Sequence, residues 1–163
     1  MKKNLPGALL LLLSLLLTLS ACGMQHFRDD LEVEHLLDDA LQALNDGVTY
    51  ASADDDHFDG YFELPEEVDE IEVRYSVDAN RINEVGILHV EDGTPRVAAE
   101  LIESYLSRSY EENRSFYDSY IPSETAKLRD AEVRVFGNYV VYAVLDTPAR
   151  EVLFGTVKAR LEE

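Results

Sequence analysis

Ala131-Glu132-Val133-Arg134-Val135-Phe136-Gly137-Asn138-Tyr139-Val140-Val141-Tyr142-Ala143-Val144-Leu145 is the stretch that decides the fold class. Two runs rich in β-branched and aromatic residues flank Gly137-Asn138, a dipeptide suited to a two-residue primed turn. Val133 and Val135 fall on the same side as Val140, Tyr142 and Val144. The second run is apolar on both sides, which predicts a central strand rather than an edge. Thr147-Pro148 follows with a capping hydroxyl and an early proline, and Leu153, Val157 and Leu161 supply the apolar face of a last helix.

Upstream, Thr94-Pro95 opens the longest helix, with Ala98, Leu101, Ile102, Tyr105 and Phe116 predicted on one side. It must stop by Ile121, because the residue before Pro122 is disfavoured in the helical region. Asn83–Val90 reads as an apolar strand closed by the turn Asp92-Gly93. Ile71, Val73, Tyr75 and Val77 alternate with Glu72, Arg74 and Ser76, the pattern of a half-buried strand. Pro65–Glu70 reads as one helical turn. Asp29 or Asp30 is the expected cap of a helix reaching Asn45, with Leu37, Ala40, Leu41 and Leu44 at helical spacing and Gly47 at its end. Asp46–Gly60 is polar and acidic and reads as a loop or hinge. The predicted order is α-β-β-α-β-β-α, an α+β fold with an antiparallel sheet of about four strands covered by helices.

Ahead of all this stands a delivery segment. Met1-Lys2-Lys3-Asn4 is basic, Leu9–Leu17 is apolar but for Ser14, and Leu19-Ser20-Ala21 leads to Cys22, the only cysteine. The apolar run is too short to span a bilayer, which takes ~20 residues. The pattern resembles a bacterial lipobox, against the alternative of a signal anchor or plain signal peptide with an incidental cysteine. The resemblance implies a diacylglyceryl thioether on Cys22 and a cut after Ala21. Residues 1–21 are then the signal peptide, 22–60 a lipid-anchored tether with an amphipathic helix and acidic loop, and 61–163 a compact domain. Two acyl chains suffice for anchoring, at about 0.8 kcal/mol per buried CH₂. The expected location is the extracytoplasmic face of the cell membrane, with the lipid on Cys22 as the membrane contact.

Losing the signal removes Lys2 and Lys3 and no acid, leaving 12 Lys and Arg against 33 Asp and Glu. Such acidity excludes nucleic acid as a partner, since its phosphates select basic surfaces. It also argues against docking on anionic lipid head groups. With its cysteine acylated, the chain has no disulfide to lean on.

Arg108, Phe116, Tyr120, Pro122 and Leu128, followed by Gly137-Asn138-Tyr139-Val140, carry a family resemblance. From about Val85 to the C-terminus the chain resembles the bacterial lipoprotein family of domain of unknown function 4358. The resemblance implies a small, secreted, membrane-anchored domain, and it implies no activity.

No catalytic set is present: no G-x-S-x-G elbow, no phosphate loop and no H-E-x-x-H. His35 and Asp39 lie four apart on the first helix, but spacing fixes no third ligand. Asp55–Glu66 falls on the calcium-loop template, with Asp55, His57 and Asp59 at positions 1, 3 and 5, Gly60 at the sharp turn and Glu66 at the closing place. Calcium is therefore a candidate cofactor. The soft nitrogen of His57 and the lack of a helix before Asp55 count against it, and a mobile acidic loop is the plainer reading. Tyr110 and Tyr117, seven apart on the long helix, are candidate interaction residues for a sugar ring or a protein partner, against ordinary edge-of-core tyrosines. The function expected from the sequence is a non-catalytic binding domain for an envelope protein or wall component. The alternatives are an envelope-polymer hydrolase using acidic residues and a calcium-binding surface module.

Overall fold

A central antiparallel sheet carries helices on both faces. The computed structural model describes residues 26–54, 57–91 and 94–163, so the expected signal peptide, Cys22, Asp55 and the expected turn at Asp92-Gly93 lie outside the described residues. The elements in order are α1 (Val33–Leu44), β1 (Tyr50–Ser52), β2 (Val68–Ser76), β3 (Glu84–Val90), α2 (Pro95–Tyr120), α3 (Pro122–Arg129), β4 (Glu132–Phe136), β5 (Tyr139–Val144) and α4 (Thr147–Glu162). The strand order is β1-β2-β3-β5-β4, and every neighbouring pair is antiparallel.

The α+β class agrees with the sequence, and the count of elements differs. The sheet has five strands, not four. Tyr50–Ser52 pairs with the end of β2, inside the stretch expected to be a loop. Three residues are too few to show an alternation. The long helix does end at Pro122, but that proline also starts α3, where its missing N–H costs nothing. Ile121 between them is non-helical, at φ −139° and ψ 58°. Pro65–Glu70 is not a helical turn: a turn closes from Val68 N–H to the Pro65 carbonyl, and β2 begins there.

The Gly137-Asn138 hairpin forms as the sequence predicts. Phe136 pairs with Tyr139, and Gly137 has φ +58° while Asn138 is not in the positive region, the II′ pattern. All six residues of β5 are buried, as a strand between β3 and β4 must be. One face of β3 and β5 (Val85, Ile87, Tyr139, Val141, Ala143) packs under α1 and α4. The other face (Leu88, Val90, Val140, Tyr142, Val144) packs under α2 and α3.

α1 belongs to the packed layers. Val33, Leu36, Leu37 and Ala40 are buried in the core with Leu153, Phe154, Val157 and Leu161 of α4. A boundary at Tyr61 therefore cuts α1 and β1 from the layers they complete. Neither Asp29 nor Asp30 caps this helix. The Val33 N–H donates to the Glu70 carboxylate of β2 at 3.0 Å, and Asp29 bonds His89 instead. Its C-terminal cap is Asn45, left-handed at φ 43°, two residues before the expected glycine.

The acidic stretch before Gly60 is anchored to the domain rather than a free hinge. The Phe58 ring is buried, stacks on Phe62 at 5.1 Å and meets Tyr105 edge-on at 5.2 Å. Arg108 donates to the Gly60 carbonyl at 3.2 Å and lies over the Tyr61 ring. This docked segment forms a flap across α2.

The two ends of the sheet differ in what they carry. At one end, the N-terminal segment joins the fold: Arg28 N–H donates to the Leu161 carbonyl, Phe27 packs on Phe136, and Asp29 meets His89 and Asn138. At the other end, β2 turns into β3, and β1 and the end of α2 arrive. Seven residues of β3 separate the ends by roughly 20 Å at ~3.3 Å per residue.

Candidate functional site

The end of the sheet away from the N-terminal segment holds a cleft of about 430 Å³. Its lining includes Asp54 and His57 of the flap, Tyr75 and Ser76 of β2, Arg81 and Asn83 from the β2–β3 turn, Glu84 at the start of β3, and Tyr117 of α2.

The turn is braced by hydrogen bonds among its own polar groups. Ser76 N–H donates to the Asn83 carbonyl at 2.9 Å, and the Asp78 carboxylate accepts from the Asn80 N–H at 2.9 Å. Asn83 is buried, and its side chain is held from two sides. Its amide donates to the Tyr50 hydroxyl at 3.1 Å, and its oxygen accepts from Lys127 Nζ at 2.7 Å. Lys127 also bonds Glu124 at 2.7 Å, and the Tyr50 hydroxyl donates to Asp46. Burial pushes the Tyr50 phenol up, so it stays a donor.

Glu84 is the centre of the floor. Tyr142 donates to its Oε1 at 2.8 Å, and Tyr105 donates to both oxygens at 3.0 and 3.2 Å. His57 Nε2 lies 3.3 Å from Oε1 and 3.3 Å from the Tyr105 hydroxyl. Burial and then the Glu84 charge push both phenols well above their ordinary range, so they remain protonated. Tyr117 is raised for the same two reasons in the same order.

Gly86 makes this arrangement possible. It pairs with Tyr142 across β3 and β5, and a Cβ at Gly86 would stand 2.3 Å from Tyr142 Cε1. The bare backbone lets the ring lie across β3 and deliver its hydroxyl to Glu84.

β2 keeps its predicted alternation, but not its predicted burial. Tyr75 is 40% exposed and Ile71 36%, because the layer over the centre of the sheet thins toward this strand. The opened face is what makes Tyr75 a wall of the cleft. The polar side of β2 is covered by α1, where Arg74 faces Glu34 and Asp38 at 3.8 and 3.6 Å and contacts Glu72.

The residues singled out from the sequence disperse. His57 is drawn inward to Tyr105 and Glu84, while Asp59 and Glu66 are exposed. Among the described residues, no group of three or more His, Cys, Asp or Glu side chains is placed to hold a metal ion. His35 pairs with Glu32, and Asp39 with Arg160. Tyr110 and Tyr117 are half-buried and continue the stripe of Ile102 and Leu106 toward α3. Tyr110 lines a separate groove with Leu106, Leu128 and Val133. Phe116, expected to face inward, is 56% exposed beside Tyr120. On this part of the helix Tyr110 and Tyr117, not Phe116, pack on the core.

Glu84, Tyr105 and Tyr142 were not recognised as a group from the sequence. The available signal was a lone acid opening the apolar run Glu84–Val90, and a tyrosine inside the all-apolar β5.

Fold and cleft together define a small α+β domain with a polar cleft at one end of its sheet. The chain belongs to the family described as domain of unknown function DUF4358, which matches residues 43–145. The match begins well before Val85, where the resemblance was first legible, and ends before α4. It encloses every residue of the cleft. Neither the curated proteins nor the solved structures contain a match to the chain.

Proposed function

We propose that the protein is a lipid-anchored extracytoplasmic binding domain, tethered through Cys22 and engaging an envelope protein or wall component through the cleft. One observation carries this reading. The N-terminal segment enters at one end of the sheet and the cleft sits at the other, as a tethered receptor requires. Only four residues lie between Cys22 and Phe27, so the five steps of that tether reach at most about 17 Å at ~3.4 Å per residue. An anchor at Cys22 thus holds the entry end near the lipid and points the cleft away from it. Among the described residues, no helix is long and apolar enough to cross a membrane.

The test has two arms. Labelled fatty acid is expected on the wild type and not on Cys22→Ser. A photocrosslinking residue at Arg81, in the cleft, is expected to trap a partner in living cells, and one at Val152, exposed on α4, is not. Equal lipid labelling of wild type and variant removes the anchor from the reading, and equal trapping at both positions removes the cleft. A hydrolase reading draws on the same place, since Asp54 and Glu84 both line it. It requires turnover of an envelope polymer that Glu84→Gln abolishes.

A further inference from the structure

The cleft is acidic in balance: Asp54 and Glu84 line it, against Arg81 as its one Lys or Arg side chain among the described residues. The Asn83 amide, Lys127 Nζ and the hydroxyls of Tyr105 and Tyr142 each donate to a protein acceptor. Arg81 lines the opening, but Asp78 faces it at 3.6 Å and opposes its charge locally. On the acceptor side stand Asp54 at the rim and Glu84 on the floor, its side chain 16% exposed. The phenols that hold Glu84 are neutral and orient its carboxylate, and His57 Nε2 stands beside Oε1 at 3.3 Å. Tyr142, Tyr105 and His57 Nε2 crowd Oε1, whereas Oε2 meets Tyr105 alone, at 3.2 Å, and keeps a lone-pair position for a further donor. Tyr75 and Tyr117 add ring faces, whose negative quadrupole attracts a cation. The chain carries a net charge of −19, and a cleft in such a field concentrates cations and repels anions.

We infer that the cleft binds the protonated amine of a small molecule, with Glu84 as its acceptor and Tyr75 and Tyr117 as aromatic walls. An ammonium fits because it is a donor three times over and accepts nothing. The inference rests on the cleft being the binding site, and it names the chemistry recognised there.

The test uses the full chain in non-ionic detergent at pH 7 and constant ionic strength, with probes matched in shape. Calorimetric titration compares glucosamine with glucose and 1,5-diaminopentane with 1,5-pentanediol. The amines are expected to bind saturably, and their neutral counterparts at least tenfold more weakly. Glu84→Gln is expected to weaken amine binding at least tenfold. Because that change also disturbs the buried phenols, Tyr117→Leu serves as a second variant at a half-buried wall, with an expected loss of several-fold at unchanged melting temperature. Equal binding of glucose and glucosamine overturns the inference, as does amine binding that both variants leave intact, or no binding by any probe. If the amines fail while the Arg81 crosslink still traps a partner, the amine chemistry falls and the binding reading stands.

Discussion

At the scale of single residues, the absence of a side chain at Gly86 decides where the Tyr142 hydroxyl goes. Gly86→Ala is expected to push that ring off β3 and break its bond to Glu84. Overpacking of this kind costs about 1–3 kcal/mol, read by chemical denaturation and by loss of the buried-phenol signature in a tyrosine titration. His89 gives a second case. Its Nδ1 meets Asp69 at 2.7 Å and its Nε2 meets Asp29 at 2.9 Å, with the Tyr139 ring alongside. Burial opposes its charge, but the two aspartates outweigh that and hold its pKa above the ordinary value. A raised folded value means stabilisation that is full below the unfolded pKa of ~6.5 and lost as pH climbs through the folded one. The wild type should therefore lose more stability than His89→Gln as pH rises from neutral into the alkaline range. Parallel losses would show that the Asp29–His89–Asp69 contact does not respond to pH. Asp29 belongs to the entering segment, so the same pH range should loosen that segment from the sheet.

At the scale of elements, the flap and the hairpin make opposite points about local sequence. The flap reads as a polar loop because its acids outnumber its apolar residues, yet Phe58, with the half-buried Phe62, fixes it over Tyr105. Phe58→Ala is expected to cost about 3 kcal/mol, the low end for a buried phenylalanine because a surface segment collapses easily. The same variant should widen the cleft, seen as faster hydrogen exchange at residues 57–62 while β3 and β5 stay protected. Uniform protection across all of them would mean that the flap is held by other contacts. The hairpin, by contrast, is set by two residues. Gly137→Val forces a β-branched residue to φ +58° and brings its Cβ to 2.9 Å from Phe27 Cβ. The backbone term alone is on the order of 1–3 kcal/mol, and a Phe27→Gly background, which removes that Cβ, should recover only the steric part.

At the scale of the whole molecule, the question is which segments the fold needs. A chain starting at Tyr61 leaves Val85, Ile87, Leu153 and Phe154 without their cover from Leu36, Leu37 and Ala40. It is expected to melt without a sharp transition, whereas a chain starting at His26 should unfold in one step. A single cooperative transition from the shorter chain would place α1 outside the stable unit.

The sequence by itself determined what depends on neighbours along the chain. The α+β class, the Gly137-Asn138 hairpin, the central place of β5 and the break at Pro122 are all written in spacings of a few residues. Tertiary structure decided the rest. β1 exists because the end of β2 offers it an edge, not because three residues favour a strand. Phe116 is exposed because the end of α2 packs on the core through Tyr110 and Tyr117 instead. The cleft floor joins Glu84 to Tyr105 and Tyr142, which lie 21 and 58 positions away in the chain. Periodicity reports which side of an element is apolar, but not which element will cover it. Contacts across such separations form only when the layers pack, and so the fold was legible in the residues while the site was not.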